Sequence, residues 1–507
     1  MADMWSRTVR ISWPRVQITF GSSGVRLVPR FPCSYLRRIL REDGRPNEDG
    51  GMKRQLHLNL FVHSRGHHEA SWRHPGSSPL PLTDIRYYQD LAQRAEAALF
   101  DSVFLADQLA LGGDVAQAAR TWLEPITVLA AMAVATQRIG LIATASTTYT
   151  EPFNLARQFA SIDHISNGRA AWNIVTSWLA TAASNYGGDS QVTHADRYAR
   201  GEEFMEVVKA LWDSWADDAV VDDREAGVYA RGDRIRPINH RGDFYQVAGP
   251  LNLPRCPQGR PVLVQAGSSD TGRRFAARHA DAVFTAHMAK ATAQEFYTDL
   301  KRLAVAEGRD PSQVLILPGL SPMIASTEAE AQRMARETNE LSDPEVGRKR
   351  LSGRFGGYDF SHLPLDRPLA PEDFPDPNTV EAARSRTEVI INLVRRDQPT
   401  LRQLLGYLAG ARGHFVTAGT PEQIADLIED WFNEGAADGF NIMPPLLPVQ
   451  FDVFSAEVIP ILQGRGLFRT EYAGIMLREH YGLAWPESVF DDPAWTPPER
   501  LEAVAGV

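Results

Sequence analysis

Short apolar runs alternate with stretches whose apolar residues recur at helical spacing, beginning at Lys53 and continuing almost to the end of the chain. Runs rich in β-branched residues favour strands, and i, i+3, i+4 spacing favours helices. The predicted strands are 55–62, 101–106, 139–145, 170–176, 262–264, 282–284, 314–317 and 440–443. The predicted helices are 87–99, 123–135, 153–165, 195–215, 271–279, 420–433 and 451–463. Eight strands in alternation with helices predict an α/β fold, a (β/α)8 TIM barrel.

Two long segments interrupt this alternation and are interpreted as insertions. Residues 217–260 are charged and contain Gly and Pro, and we expect a β excursion near 232–247. Residues 342–415 contain a Pro- and Asp-rich loop at 364–377 and one or two helices. Because long insertions in compact domains are often functional, the second is a candidate lid.

The ends of the chain differ from the barrel domain, which we place at 52–486. Residues 1–51 contain nine Arg and no Lys, show no sustained period and end in GRPNEDGG. They are interpreted as a disordered extension, or as a start assigned too early with Met52 as the natural first residue. The tail at 487–507 is expected to be irregular.

Composition excludes several classes of protein. A net charge of −10 argues against a general nucleic-acid binder, and no apolar run is long enough to span a membrane. Two cysteines, Cys33 and Cys256, exclude a disulfide framework and favour a reducing compartment, so we expect a cytoplasmic protein.

One stretch, residues 261–284, has the order strand, turn, helix, strand. Gly267 permits close backbone approach, and Ser268 and Ser269 supply hydroxyl and N–H groups where the next helix begins. The free N–H groups of that helix favour a phosphate, and Arg273 and Arg274 in its first turn could add charge. The alternative is an ordinary βα turn capped by Asp270.

In a (β/α)8 barrel the active-site residues follow the carboxyl ends of the strands. Hydroxyl, amide, imidazole and aromatic side chains dominate these positions, with a single carboxylate. They include Phe61, His63, His67, His68, Trp72, Asp107, Thr144, Ser146, Thr147, Asn173, Thr176, His194, Tyr198, Ser268 and Ser269. There are no paired carboxylates for glycoside hydrolysis, no Walker loop and no dinucleotide fingerprint. Adjacent His67 and His68 lack a metal-ligand spacing, so we expect no metal.

Five long stretches carry a resemblance to a known family. They are FDSVFLAD (100–107), ATASTTYTEPFNLARQFASIDHISNGRAAWNIVTS (143–177), HADRYARGEEF (194–204), QAGSSDTGRRFAARHADAVF (265–284) and GTPEQIADLIEDWFNEGAADGFNIMPP (419–445). The chain from about 53 to 485 resembles the bacterial-luciferase-like flavin-dependent monooxygenases. Within them it is similar to the branch of nitrilotriacetate monooxygenase component A, dibenzothiophene-sulfone monooxygenase and pristinamycin synthase.

The resemblance implies a two-component enzyme. Reduced FMN would come from a separate NAD(P)H:FMN reductase, and O2 would be the co-substrate, activated as a C4a-peroxyflavin. One oxygen atom would enter a small organic substrate, by C–N or C–S bond cleavage or ring oxidation, in xenobiotic degradation. Because such a cofactor carries the difficult chemistry, the absence of a nucleophile or acid–base dyad is expected. A homodimer or higher homo-oligomer is also expected.

The resemblance also implies roles for individual residues. Flavin contacts fall on Asp107, Thr144, Asn173, His194, Tyr198, Ser268 and Ser269. Phe61 and Trp72 are candidates for the substrate wall, and His63 and His68 for stabilising the peroxide. Each has a plainer alternative: a cap for Asp107, ordinary strand positions for Thr144 and Asn173, and core packing for Phe61 and Trp72.

Two other functions remain open at the sequence level. One is a deazaflavin-dependent oxidoreductase on the same barrel, and the other is a flavin-binding protein without turnover. The motifs of the branch argue against the first, and the polar strand ends argue against the second. The sequence does not identify the substrate.

Overall fold

The computed structural model describes residues 12–13, 16–17, 54–111, 115–119, 121, 123–177, 180–187, 193–376, 384–488 and 490. The chain divides into two compact units, 1–52 and 53–507. In the first, Ser12–Trp13 pairs antiparallel with Val16–Gln17. The remainder of the predicted extension lies outside the described residues, as does the tail apart from 487, 488 and 490.

Eight parallel strands of the second unit close into a barrel, which confirms the predicted (β/α)8 fold. They are β1 His57–Val62, β2 Ser102–Leu105, β3 Gly140–Ser146, β4 Ala170–Val175, β5 Val262–Gln265, β6 Ala282–Thr285, β7 Leu315–Ile324 and β8 Gly439–Ile442. Each of β1 to β5 pairs with the next strand. The ring closes through β6 with β7, β7 with β8 and β8 with β1.

Helices follow the strands as the apolar spacing predicts. They are α1 Ile85–Ala97, α2 Pro125–Ala133, α3 Pro152–Ser166, α4 Ala180–Ala183, α5 His194–Trp212, α6 Asp270–His279, α7 Lys290–Ala306, α8 Glu328–Glu340, α9 Pro344–Arg354, α10 Arg384–Asp397, α11 Leu401–Ala411, α12 Pro421–Asn433, α13 Val449–Val453, α14 Ile459–Gly464 and α15 Leu477–His480. A π-helical segment, Phe454–Val458, joins α13 to α14. None of the described helices is long and apolar enough to cross a bilayer.

Local signals place several helix ends correctly. Helix α3 ends where Asn167 adopts a left-handed conformation at φ 56°, followed by Gly168 at φ 87°. Helix α12 begins with Thr420 in a capping box and Pro421 in the first turn, where a missing N–H costs nothing.

Strand β7 is longer than predicted, because Pro318, Gly319 and Pro322 suggested breaks. Its second half pairs in parallel with an additional strand, Phe415–Gly419, which the sequence pattern did not indicate. The partner strand gives the second half of β7 a ladder despite the missing proline N–H groups.

The insertions differ in kind. Residues 217–260 contain two antiparallel pairs, Val220–Asp223 with Val228–Ala230 and His240–Arg241 with Gln246–Val247. The 342–415 segment was predicted to hold one or two helices and instead forms three, α9 to α11. They enclose a separate apolar core that includes Leu351, Phe355, Phe360, Phe374, Ile390, Val394, Leu404 and Leu408. This core makes the insertion a helical subdomain.

The barrel lumen is a packed core that is closed from both ends. Phe61, Phe104 and Phe284 cluster inside, with ring centroids 4.5 to 5.6 Å apart. At the amino end, Tyr481 enters from the segment after α15, and its hydroxyl donates to Asn59 Oδ1 at 2.8 Å. This C-terminal segment therefore forms the lower plug of the barrel.

Candidate active site at the carboxyl ends of the strands

Thr144 and Asn173, which the sequence assigned to separate strand ends, lie together. The Thr144 hydroxyl donates to the carbonyl of Leu105 at 3.0 Å and accepts from Asn173 Nδ2 at 2.9 Å. Asn173 Oδ1 is buried and has no hydrogen-bond partner among the described residues. Because a buried acceptor without a partner is costly, this oxygen is suited to a bound donor.

The segment after β3 adds further unpaired hydroxyls. Thr147 Oγ1 and Thr148 Oγ1 are buried without partners in the described part of the chain. Ser146 is satisfied, since its hydroxyl accepts from Ser177 at 2.7 Å and from the Thr148 N–H at 3.1 Å. The ends of β3 and β4 therefore present three unpaired oxygens in one sector of the barrel mouth.

The loop after β5 begins a helix, as predicted. Ser269 rather than Asp270 is the N-cap of α6, because Ser269 Oγ accepts from the Gly272 N–H at 3.1 Å. A Cβ on Gly272 would lie 3.0 Å from the Tyr198 hydroxyl, so the hydroxyl and the loop are in close contact. The structure thus brings Tyr198 of α5 together with Ser269, at a helix N-terminus suited to an anion.

Arg273 does not extend this site in the way that its position in the first helical turn suggested. Its guanidinium forms ion pairs with Asp270 and with Asp299 of α7. Arg274 is exposed. His194 is the first residue of α5, after the Thr193 cap, and its side chain is not among those that the structure describes.

The ends of β1 and β2 line a cavity of about 490 Å³. Its walls include His63, Tyr88, Asp107 and Leu123. Burial raises the pKa of Asp107 to about 6, the hydrogen bond from the Gln108 N–H lowers it, and the nearby Glu124 carboxylate raises it further. Asp107 therefore carries a carboxyl group that holds a proton closer to neutral pH than an exposed aspartate does.

His68 is engaged within the loop after β1. Its Nε2 lies 2.9 Å from Asn339 Oδ1 of α8, and its Nδ1 accepts from the Ala70 N–H at 3.2 Å. Burial lowers the pKa of His68 to about 4, so the ring is neutral and donates to Asn339. Both nitrogens are used, and His68 anchors this loop to α8.

His67 is buried beside it and has a similar anchoring role. Its Nε2 lies 2.8 Å from the Phe61 carbonyl, and its Nδ1 lies 2.8 Å from Arg412 Nη2. Burial and the Arg412 charge lower the pKa of His67 well below its usual value. Gly66, at φ +136°, lets the loop cross β8, since a Cβ there would meet the Pro445 carbonyl at 2.2 Å.

The two proposed substrate-wall residues have different environments. Phe61 lies in the lumen and is buried. Trp72 is 37% exposed on a short 3-10 helix, Ser71–Arg73. Their contact with a substrate stays a prediction.

Two aromatic features of the mouth were missed at the sequence level. Tyr149 and Tyr186 stack at 4.7 Å with an interplanar angle of 17°. They join the two halves of the mouth, because Asp107 influences the pKa of Tyr186 and Tyr149 that of Arg197. His414 stacks on Phe284 at 4.7 Å and 3°. A hydroxyl- and aromatic-rich segment after β3 was a signal for Tyr149, whereas no pattern pointed to Tyr186 or His414.

Metal ligation has no support in the described ranges, where no three His, Cys, Asp or Glu side chains are grouped to hold an ion. The mouth instead offers unpaired hydroxyl and amide oxygens, a helix N-terminus and a protonatable carboxyl group. These groups are suited to binding a polar, anionic ligand.

Comparison with known proteins agrees with this architecture. N-acetyl-S-(2-succino)cysteine monooxygenase of Bacillus subtilis (strain 168) is 47% identical, over 86% of this chain and 98% of the relative. Nitrilotriacetate monooxygenase component A of Aminobacter aminovorans is 46% identical, over 88% of this chain and all of the relative. The solved structure of riboflavin lyase with modified FMN and riboflavin is 31% identical, with a TM-score of 0.74 over 84% of this chain and 96% of the other.

The predicted branch is also confirmed. Pristinamycin IIA synthase of Streptomyces pristinaespiralis, in one of its two matching subunits, and dibenzothiophene-sulfone monooxygenase of Rhodococcus erythropolis are 42% and 40% identical, each over 86% of this chain. A family model described as luciferase-like monooxygenase matches residues 60–438. The chain belongs to the luciferase-like monooxygenase family.

Proposed function

We propose that the protein is the oxygenase of a two-component system that uses reduced FMN, supplied by a separate NAD(P)H:FMN reductase, to insert one oxygen atom of O2 into a small organic substrate. The observation that carries the proposal is the set of unpaired buried oxygens at the ends of β3 and β4, beside the helix N-terminus after β5. Unsatisfied polar groups of this kind are typical of a site shaped for a ligand.

The relatives support the finer parts of the proposal. One is named as component A of a monooxygenase, and two different subunits of pristinamycin IIA synthase match this chain. Two are named for nitrilotriacetate and N-acetyl-S-(2-succino)cysteine, which contain C–N and C–S bonds. They support a substrate that is cleaved at such a bond.

The residues present fit FMN. Ser268, Ser269 and the first N–H groups of α6 would bind the phosphate, with the Tyr198 hydroxyl beside them. Asn173 Oδ1 and Thr144 would take the polar edge of the flavin ring. When bound, reduced FMN supplies the electrons that reduce O2.

The other residues of the mouth act on water and protons. The aromatic lumen below the site excludes water, which protects a reactive oxygen species from loss. Asp107 holds a proton at its carboxyl group. His63 is a better candidate than His68 for contact with the reacting oxygen, because both His68 nitrogens are committed to the loop.

The two-component arrangement is tested by oxygen uptake. The purified chain with NADH and FMN alone should consume no NADH, and adding an FMN reductase should give oxygen uptake that organic amines, thioethers, sulfones or sulfonates couple to product. Rapid NADH oxidation by the chain alone would contradict a separate reductase. Reduction of a deazaflavin by substrate without oxygen would favour the alternative oxidoreductase.

The phosphate site is tested with Ser268→Ala and Ser269→Ala, using riboflavin as the ligand without phosphate. Each hydroxyl lost should weaken FMN binding by roughly one to two decades and leave riboflavin nearly unaffected, because a charge-assisted hydrogen bond contributes ~1.5–3 kcal/mol. Ser269→Ala should also lower stability by ~1 kcal/mol, because it removes the cap of α6, whereas Ser268→Ala should not. The expectation that neither serine contributes to stability was wrong for Ser269. Equal loss of FMN and riboflavin would place the phosphate elsewhere.

A further inference from the structure

Five arginine side chains are buried in the described part of the chain, and four of them have partners that compensate the charge. Arg255 pairs with Asp213, Arg469 with Asp101 and Arg478 with Asp281. Arg169 has no carboxylate partner, but it donates five hydrogen bonds to carbonyl and hydroxyl oxygens. The fifth, Arg197 in the first turn of α5, is different.

Arg197 is 8% exposed and makes one hydrogen bond, from Nη1 to the Ser177 carbonyl at 3.0 Å. Its Nε is buried without a partner, and no described carboxylate forms an ion pair with it. Burial lowers its pKa, and the groups that act on it electrostatically are the phenols of Tyr198 and Tyr149. A buried cation without a counter-ion is costly, so the site is suited to an anion that comes from outside the chain.

The surroundings of Arg197 locate this anion. The next residue is Tyr198, whose hydroxyl contacts the loop at Gly272. On the other side, the Ser177 hydroxyl bonds to Ser146, next to the unpaired Thr147 and Thr148 hydroxyls. Arg197 therefore lies between the end of β4 and the N-terminus of α6, in the sector where an anion is expected.

The other arginines on α5 and α6 do not offer this charge. Arg273 pairs with Asp270 and Asp299, and Arg278 pairs with Glu202 and Glu307. Arg200 donates to the Tyr245 hydroxyl at 2.6 Å, and Arg274 is exposed. Of the arginines on these two helices, Arg197 is the one whose buried charge is left for a ligand.

We propose that Arg197 is the counter-ion of the bound phosphate of FMN and that its guanidinium binds the phosphate together with the N-terminus of α6. The inference rests on the proposed flavin function and adds the residue that neutralises the ligand. The guanidinium matches the geometry of a phosphate, and a charged hydrogen bond in a buried site is stronger than one at the surface.

The test compares Arg197→Met and Arg197→Lys with Arg274→Met, an exposed arginine of α6, by the fluorescence change of FMN and riboflavin on binding. Arg197→Met should weaken FMN binding roughly 10- to 100-fold, Arg197→Lys less, and Arg274→Met less than about twofold. Riboflavin affinity should stay within about twofold in all three variants, because riboflavin lacks the phosphate.

A second readout uses the thermal stability of the ligand-free chain. Arg197→Met should not lower the unfolding temperature, because it removes an uncompensated buried charge. The stabilisation that inorganic phosphate gives to the wild type should disappear in this variant and persist in Arg274→Met. A purely structural role predicts the opposite pattern, with lower stability and unchanged phosphate dependence.

Each outcome decides between possibilities. Equal weakening of FMN and riboflavin, or unchanged FMN affinity, overturns the role of Arg197. Wild-type stabilisation by phosphate that depends on Arg197, without binding of FMN, supports the anion site and contradicts the flavin function. A wild type that responds to neither FMN nor phosphate overturns both.

Discussion

Asp107 shows how a single residue combines burial with a functional position. It lies half-buried at the end of β2, beside the cavity and near Glu124, and burial raises its pKa to about 6. Because its usual pKa is about 3.9, the folded protein binds this proton more tightly than the unfolded chain does.

Replacing the carboxyl group should reveal this titration. Between about pH 4 and pH 6 the unfolded chain ionises Asp107 first, so the wild type should lose stability relative to Asp107→Asn as the pH rises. Above about pH 6 the difference should become constant, since both states of the wild type are then ionised. Unfolding temperatures of both proteins at four pH values from about 4.5 to about 7.5 measure it. A constant difference over the whole range would mean that Asp107 titrates normally.

At the residue scale, sequence reasoning found positions better than interactions. The strand ends pointed to Thr144 and Asn173, and the parallel register of β3 and β4 puts them side by side. The sequence pattern assigned charge to Arg273, but Asp299, far away in the sequence, pairs with it. Arg197 was passed over because its environment depends on β4 and on Ser177.

At the element scale, the insertion of α9 to α11 is a subdomain with its own core. It rests on the loop after β1, where the Glu69 N–H donates to the Ala409 carbonyl at 2.9 Å and Glu69 also pairs with Arg350. A separate core attached by few contacts should open independently of the barrel.

We expect Phe360→Ala to open the insertion alone. Phe360 is 1% exposed in this core, and removing such a ring costs ~3–5 kcal/mol. Hydrogen exchange should rise in α9, α10 and α11, while exchange in the barrel strands and FMN affinity change little. The matched control, Phe159→Ala in the barrel core, should raise exchange across the barrel. Loss of protection in both regions of the Phe360 variant would show one cooperative unit.

Element types were predictable wherever local signals and tertiary demands agree. The helix ends at Asn167 and Thr420 follow from left-handed backbone and capping chemistry. The length of β7 was not predictable, since its second half depends on pairing with Phe415–Gly419, almost one hundred residues later. The three helices of the insertion were undercounted because the Pro-rich loop hid the pattern.

At the scale of the whole molecule, the barrel domain is anchored at its first described residue. Arg54 donates to the Phe432 and Ala437 carbonyls at 3.1 Å and to Asp438 at 3.0 Å. Its guanidinium also lies 4.4 Å from the centroid of the Phe432 ring. These contacts join the start of the domain to the segment before β8.

A chain that starts at Met52 should therefore keep its fold and FMN binding, with an unfolding temperature within about 2 °C of the full chain. A chain that starts at Leu56 lacks Arg54 and should unfold a few degrees lower, because the bonds to Asp438 and the two carbonyls are lost. Calorimetry of the two truncated proteins and the full chain measures both effects. Loss of the fold in the Met52 protein would make residues 1–51 structural.

The lower plug of the barrel has a consequence for biosynthesis. Leu477, Tyr481 and Leu483 belong to the same apolar cluster as Phe61 of the first strand. During synthesis the strands emerge in order, but the amino end of the lumen stays open to water until this last segment leaves the ribosome. The nascent barrel exposes apolar lumen surface through nearly its whole translation, and a chaperone that shields this opening would be needed for longest at the very end.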